Sequence, residues 1–169
     1  MAAAPEEKTR LLIVEDDSDI RELLKHFMKE FVDEIVEAEN GAAALKYVKE
    51  QEFDTILSDI EMPQMNGLKF LAYVRSLGHM TPFVVLTAHG DHARALEALS
   101  LGAFDFITKD SKKKFVIESV CSALKIGREM KASKNDAVRS NHLRKLYADM
   151  SKSSELRLRK IIEDMSSNN

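Results

Sequence analysis

Short apolar runs alternate with amphipathic segments along roughly the first 125 residues, and this alternation constrains the fold more than any other feature. The five-residue runs are Arg10–Val14, Glu34–Ala38, Phe53–Leu57, Pro82–Leu86 and Ala103–Ile107. Such runs, several of them rich in Val, Ile and Leu, are typical of strands buried in a parallel sheet. The segments between them repeat apolar residues at helical spacing, as Ile20, Leu24 and Phe27 do after the first run. The chain is therefore predicted to alternate strands with helices.

Strands that alternate with helices favour a parallel sheet covered by helices on both faces. The length of this part of the chain matches a flavodoxin-like doubly wound fold, so we predict an α/β protein with a five-stranded parallel sheet. Asn40, Asp91 and Ser111 precede predicted helices and suit the N-cap position. Asp17 is interpreted in the same way.

The charge balance changes near Gly127. Residues 1–126 carry a net charge of −7, whereas residues 127–169 carry +4 and contain neither Phe nor Pro. We therefore predict one domain over residues 9–127 and a helical tail over residues 128–169.

The tail has an apolar stripe from Leu143 to Met165, interrupted at Ser151–Ser154. Such a stripe needs a partner surface, because isolated helices of this length are marginal in water. The tail is thus predicted to form a helix pair that either docks on the first domain or forms a homodimer, and its near-heptad spacing slightly favours the dimer.

Several classes of protein are excluded by composition. Cys121 is the single cysteine, so an internal disulfide and a multi-cysteine zinc site are ruled out. The amino-terminal residues are small and acidic, unlike a secretory signal, and no apolar run approaches the length of a membrane span. We therefore expect a cytoplasmic protein.

Polar side chains directly follow the predicted strands. Glu15 and Asp16 follow the first strand, Asp59 the third, Thr87 the fourth and Lys109 the fifth. The carboxyl ends of parallel strands meet at one edge of the sheet, where α/β proteins bind ligands. Clustered carboxylates need a cation, and hard oxygen ligands suit Mg²⁺. A carboxylate nucleophile with a metal, a lysine and a hydroxyl suits phosphoryl transfer to an aspartate.

Four segments resemble the receiver domains of two-component response regulators, of the chemotaxis-Y type. They are Leu11–Asp17 with its acidic pair, Ser58–Gly67 with Asp followed by Met-Pro and Gly, Val84–Ala88, and Phe106–Lys109. The resemblance covers about residues 9–127.

The resemblance implies a phosphoacceptor site with a magnesium ion. Asp59 would accept a phosphoryl group from a histidine kinase or a phosphotransfer protein. Asp16 would bind Mg²⁺ directly and Glu15 through water, while Asp59 and the carbonyl of Glu61 would complete the protein ligands. The chain would promote only its own phosphorylation and dephosphorylation, and would not be an enzyme acting on a separate substrate.

The resemblance also implies a conformational switch that a downstream protein partner reads. Lys109 would pair with the phosphoryl oxygens, Thr87 would turn towards them, and Phe106 would move into the space that Thr87 leaves. Asp110 stands where the family usually has a proline in a cis bond. We expect a trans bond there, because a cis bond before a residue other than proline is costly.

Two other functions fit parts of the sequence. A phosphatase of the haloacid dehalogenase type also uses a strand-end Asp, an acid two residues later, a Thr and a Lys, as in Asp59, Glu61, Thr87 and Lys109. Such an enzyme, however, places its nucleophile on the first strand and an acidic pair after the lysine. A transcription regulator would need the basic tail to bind DNA, but residues 127–169 are too few for a winged helix, and their basic residues alternate with acids.

Overall fold

The computed structural model describes residues 8–88 and 90–167. The strands are β1 (Arg10–Val14), β2 (Glu34–Ala38), β3 (Thr55–Asp59), β4 (Phe83–Thr87) and β5 (Asp105–Thr108). The helices are α1 (Ser18–Met28), α2 (Gly41–Glu50), α3 (Gly67–Ser76), α4 (His92–Ser100), α5 (Lys113–Ala132) and α6 (Ala137–Ser167). No helix in the described part of the chain is long and apolar enough to cross a membrane.

The strands form one parallel sheet in the order β2-β1-β3-β4-β5, which confirms the predicted flavodoxin-like fold. Alternate residues of β1 face opposite sides of the sheet, as the two-residue period of a strand requires. Leu12 and Val14 join a core with side chains from α2, α3 and α4. Leu11 and Ile13 join a second core with side chains from α1 and α5. Both faces of the sheet are therefore covered.

Three strands end later than the apolar runs predicted. β3 extends to Asp59, β4 to Thr87 and β5 to Thr108, because the backbone ladder pairs Asp59 with Leu86 and Thr87 with Thr108 regardless of side-chain polarity. Asp59 and Thr87, both predicted site residues, are thus the last residues of their strands.

Two of the predicted helix caps are confirmed. The Asp17 carboxylate accepts hydrogen bonds from the amides of Asp19 (2.9 Å) and Ile20 (3.1 Å). The Asn40 side chain accepts one from Ala43 at 2.9 Å. Each satisfies amide groups in the first helical turn that have no partner within the helix.

The other two predicted caps form no capping hydrogen bond, and of these only Ser111 lies outside the N-cap position. Asp91 occupies the N-cap position of α4, but its side chain accepts no capping bond and lies 3.7 Å from Nε of Arg94. Ser111 lies one residue too early, because α5 begins after Lys112. The Ser111 hydroxyl instead hydrogen-bonds the Thr108 hydroxyl at 2.9 Å.

Close backbone approaches at two glycines fix helices against β3 and the residue that precedes it. A Cβ on Gly67 would lie 2.1 Å from the carbonyl oxygen of Asp59, and a Cβ on Gly127 would lie 1.7 Å from that of Asp54. No side chain fits at either place. Gly67 at the start of α3 therefore lets that helix pack directly on the backbone of the candidate acceptor.

The tail forms one continuous helix rather than the predicted helix pair. α6 runs through Ser151–Ser154 without interruption and contacts α4, β5 and α5 of the same chain. Ser154 is buried, and the Ser151 hydroxyl donates to the carbonyl of Ala103 at 2.5 Å. These serines face the domain, where their small size permits close packing, so they do not end the helix.

Part of the predicted apolar stripe packs on the chain's own domain. Leu143, Tyr147 and Leu158 are buried there, whereas Ile161 and Met165 remain 38% and 53% exposed. α5 continues five residues past the predicted boundary at Gly127 before the connection at residues 133–136 leads into α6. The homodimer and the domain boundary both stay predictions.

Candidate functional site

Three of the predicted site residues meet at the carboxyl edge of the sheet. Lys109 Nζ lies 2.8 Å from Asp59 Oδ2 and 3.1 and 2.9 Å from the two carboxylate oxygens of Glu15. Asp59 and Glu15 are buried, with 2% and 0% of their surface exposed. The site is therefore two buried carboxylates joined by one ammonium group.

A third carboxylate opens the cluster towards solvent. Glu15, Asp16 and Asp59 each offer an oxygen, and these oxygens lie within 4.8 Å of one another. Asp16 is exposed, so the cluster is accessible from outside. Oε2 of Glu15 is buried and forms a 2.9 Å ion pair with Lys109 Nζ. Carboxylate ligands with an open side fit Mg²⁺, which binds one or two carboxylates and retains waters.

Burial works against the negative charge of this site. It raises the pKa of Glu15 to about 7, with Lys109 opposing and Asp59 adding to the rise. Burial likewise raises the pKa of Asp59, although the hydrogen bond from Lys109 opposes it. Burial would lower the pKa of Lys109, but its hydrogen bonds to both acids outweigh this and raise it. The ammonium group of Lys109 therefore stabilises both carboxylates, and a second cation would reduce the repulsion that remains between Glu15 and Asp59.

The loop that carries the acidic pair is fixed by Arg21, a residue that was not predicted to take part in the site. Its guanidinium donates to the carbonyl of Glu15 at 2.6 Å, and the amide of Asp17 donates to Glu15 Oε1 at 3.2 Å. The Glu15 amide in turn donates to Ala38 at 3.1 Å. An arginine one turn into a helix carries no sequence signal for this role, because its target is a backbone atom.

Glu61 lies beside the candidate acceptor. Its amide nitrogen is 3.3 Å from Asp59 Oδ1 and donates to it. Its side chain forms an ion pair with Arg94 of α4, which also lies near Asp91. This link from α4 to the loop after β3 was not predicted either. Coordination of a metal by the Glu61 carbonyl stays a prediction.

The two predicted switch residues occupy neighbouring strands. The Thr87 hydroxyl lies 3.2 Å from the carbonyl oxygens of both Ala88 and Asp91 and shares its one proton between them, so it holds the segment that precedes α4. Phe106 pairs in register with Val85, two residues before Thr87, and is 8% exposed. The movements of both side chains stay predictions.

Comparison with known proteins identifies the family. The family described as response regulator receiver domain matches residues 11–121, which include every predicted site residue and exclude α6. The chain is 32% identical over 116 residues to the chemotaxis protein CheY of Bacillus subtilis, covering 68% of this chain and 97% of CheY. It is 34% identical over 119 residues to the response regulator protein PilR of Pseudomonas aeruginosa, covering 70% of this chain. The chain spans only 27% of the length of PilR.

A solved structure agrees with these relatives. The receiver domain of the Francisella response regulator 1452 superposes with a TM-score of 0.64 at 26% identity, covering 69% of this chain and 97% of that one. These matches do not favour the phosphatase or the DNA-binding regulator considered above. The acidic cluster, the strand-end lysine and the family match lead to one conclusion: the chain belongs to the response regulator receiver family, the phosphoacceptor modules of two-component signalling.

Proposed function

We propose that Asp59 accepts a phosphoryl group and that Mg²⁺ bound by Glu15, Asp16 and Asp59 assists the transfer. The observation that carries this proposal is the convergence of Asp59 with two further acids and Lys109 at the carboxyl edge of the sheet. The donor is a phosphohistidine on a histidine kinase or a phosphotransfer protein.

In the transfer, a carboxylate oxygen of Asp59 forms a bond to phosphorus while the bond from phosphorus to the donor nitrogen breaks. The donor imidazole leaves with the electron pair of that bond and takes up a proton. Lys109 is already 2.8 Å from Asp59 and can follow the negative charge onto the phosphoryl oxygens. Bound Mg²⁺ would supply further positive charge to those oxygens. The chain thus provides its own charge stabilisation, which supports self-catalysed transfer and subsequent hydrolysis.

Phosphorylation replaces the single negative charge of the Asp59 carboxylate with about two on the phosphoryl group, and it adds three acceptor oxygens to the site. Thr87 can turn its hydroxyl to one of them only by giving up its bonds to Ala88 and Asp91. Phe106 would then move, and β4, β5 and the adjoining helices would carry the change to a downstream protein partner. The shift between the two states cannot exceed the difference in free energy with which the phosphoryl group interacts with them.

A homodimer formed through α6 is a second proposal with narrower support. Leu143, Tyr147 and Leu158 are buried on the chain's own domain, so Leu146, Ile161 and Met165 are the exposed residues of the apolar stripe that could contact a second copy.

Mass spectrometry after incubation with acetyl phosphate and Mg²⁺ tests the acceptor. We expect one phosphoryl group on the parent, sensitive to hydroxylamine as an acyl phosphate is, and none on Asp59→Asn. Asp17→Asn is the matched control, because asparagine can still cap α1 and Asp17 lies outside the acidic cluster. Full labelling of Asp59→Asn would show that the acceptor is another residue.

A further inference from the structure

α6 is held on the domain at two separate places. The first anchor consists of Tyr147 with Arg75 and Gly102, and the second consists of Arg157 and Leu158 with the residues beneath them. Only the second lies on a predicted switch residue, and this difference gives the two halves of α6 different relations to the phosphoacceptor site.

The first anchor is a closed hydrogen-bond network. The Tyr147 hydroxyl donates to the carbonyl of Gly102 at 2.7 Å and accepts from Arg75 at 2.8 Å. Arg75 also donates to the Gly102 carbonyl at 2.8 Å, and the Tyr147 ring packs edge-on against Phe104 at 5.3 Å. All of these partners lie on α3 or precede β5, at the edge of the sheet opposite to the acidic cluster.

The second anchor covers the predicted switch aromatic. The guanidinium of Arg157 lies 4.9 Å from the centre of the Phe106 ring and donates to Asp105 at 2.6 Å. Leu158 is fully buried in the same cluster as Phe106 and Leu99 of α4. The surface on which the second anchor packs therefore consists of residues from β5 and α4.

Both elements of this surface, β5 and α4, are connected to Thr87. Phe106 pairs with Val85, two residues before Thr87 on β4. α4 follows directly after the segment whose carbonyls accept the Thr87 hydroxyl. If Thr87 turns towards a phosphoryl group, its hydroxyl no longer binds the segment before α4. The α4–β5 surface on which Leu158 and Arg157 pack is then held less firmly.

We propose that the second half of α6, residues 154–167, is a cover that leaves the α4–β5 surface when Asp59 is phosphorylated, while the Tyr147 anchor stays bound. This inference rests on the proposed function. Detachment uncovers Phe106, Leu99 and the carboxylate of Asp105. A partner suited to this surface carries an amphipathic helix with an aliphatic stripe and a basic side chain, the chemistry that α6 itself supplies at rest.

Detachment is favoured over tightening because the second anchor is weakly held. The Arg157 side chain is 55% exposed, so its ion pair is screened by water. Beyond it, Ile161 and Met165 leave much of their surface in solvent. Ser154 and Leu158 are the buried side chains among residues 154–167, and segments with few buried side chains open at low free energy, so a small change in the surface beneath them is sufficient to release this half.

Hydrogen exchange of the full chain, with Mg²⁺ and with or without beryllium fluoride as a phosphoryl mimic, tests the proposal. We expect amides of residues 154–162 to exchange at least about fivefold faster in the presence of the mimic, and amides of residues 143–150 to keep their rates. Arg157→Ala should reproduce the effect without the mimic, by about three- to tenfold, since it removes a cation–π contact and an ion pair. Arg159→Ala is the matched control, because Arg159 pairs with Glu155 on the same helix and should change neither segment.

The affinity for beryllium fluoride is a second measurement. It would not change if Arg157 had only a structural role. A ligand that favours the detached state must bind more tightly when attachment is weakened. Arg157→Ala should therefore bind beryllium fluoride about three- to fivefold more tightly than the parent, and Arg159→Ala should match the parent. Binding of the mimic with unchanged exchange over residues 154–162, or with equal acceleration in both halves, overturns this inference alone. Failure of the parent to bind the mimic, together with failure of Asp59 to be labelled, overturns the proposed function as well.

Discussion

Glu15→Gln should stabilise the metal-free protein while it weakens magnesium binding. Glu15 is fully buried, and its pKa is raised from 4.5 to about 7, chiefly by burial. The folded state therefore binds this proton more tightly than the unfolded state does. It follows that the free energy of unfolding decreases as pH rises from about 4.5 to 7, and that this loss is complete at higher pH.

The size of the effect follows from the same shift. The rise in the Glu15 pKa from 4.5 to about 7 means that a charged Glu15 carboxylate destabilises the folded state by at most about 3 kcal/mol. Water at the open side of the site screens part of this, so we expect Glu15→Gln to gain about 1–2 kcal/mol at pH 8 without metal. For a chain of this length the midpoint of thermal unfolding should rise by roughly 2–8 °C.

Circular dichroism during thermal and urea unfolding, in EDTA at pH 5 and pH 8, measures this difference. The difference in stability between variant and parent gives the contribution of Glu15 apart from the other titrating groups. Glu22→Gln on the exposed side of α1 is the control. Added Mg²⁺ should stabilise the parent more than the variant, because binding to the folded state adds to stability. A variant less stable than the parent at pH 8 in EDTA would refute the idea that burial, rather than the bond to Lys109, dominates at Glu15.

Three further outcomes are expected. Asp16→Asn should weaken Mg²⁺ binding at least about tenfold in a calorimetric titration, whereas Asp17→Asn should change it little; equal effects would contradict the proposed ligands. Gly127→Ala should lower the free energy of unfolding by about 2 kcal/mol or more in urea, because its Cβ would lie 1.7 Å from a backbone carbonyl. Deletion of residues 135–169 should leave Asp59 labelling intact; if the dimer proposal is correct, light scattering will show a dimer for the full chain and a monomer after deletion, whereas a monomeric full chain contradicts it.

The sheet and the acidic site could be predicted because both depend on patterns within short stretches of the sequence. Once the strands are parallel, the residues that follow them must meet at one edge, so Glu15, Asp59 and Lys109 converge without further information. The capping of α1 by Asp17 is also local. Ser111 was wrongly predicted as a cap because its hydroxyl has a second available partner, Thr108.

The docking of α6 could not be predicted, because it depends on contacts between residues far apart in sequence. Tyr147 meets Arg75, 72 residues earlier, and nothing in the spacing of either residue indicates the other. Ser151–Ser154 suggested a break because serine competes with the helical backbone for hydrogen bonds. Ser151 and Ser154 lie against the domain, and this position reverses that preference. The sequence does not show it, because it depends on the placement of β5 beside these two serines.

The tight contact at Gly67 has a mechanical consequence for the site. The amide of Gly67 donates to Ile60 at 2.9 Å and the amide of Ile60 donates to Leu86 at 3.1 Å, so the main chain just after Asp59 is fastened on two sides. With α3 resting on the Asp59 carbonyl, the acceptor has no room to shift its backbone when it becomes larger and more negative. On the opposite side of the site, the Thr87 hydroxyl holds its neighbouring segment through contacts of 3.2 Å. If Asp59 is phosphorylated, as we propose, we therefore expect the added group to displace the Thr87 segment and α4 rather than α3.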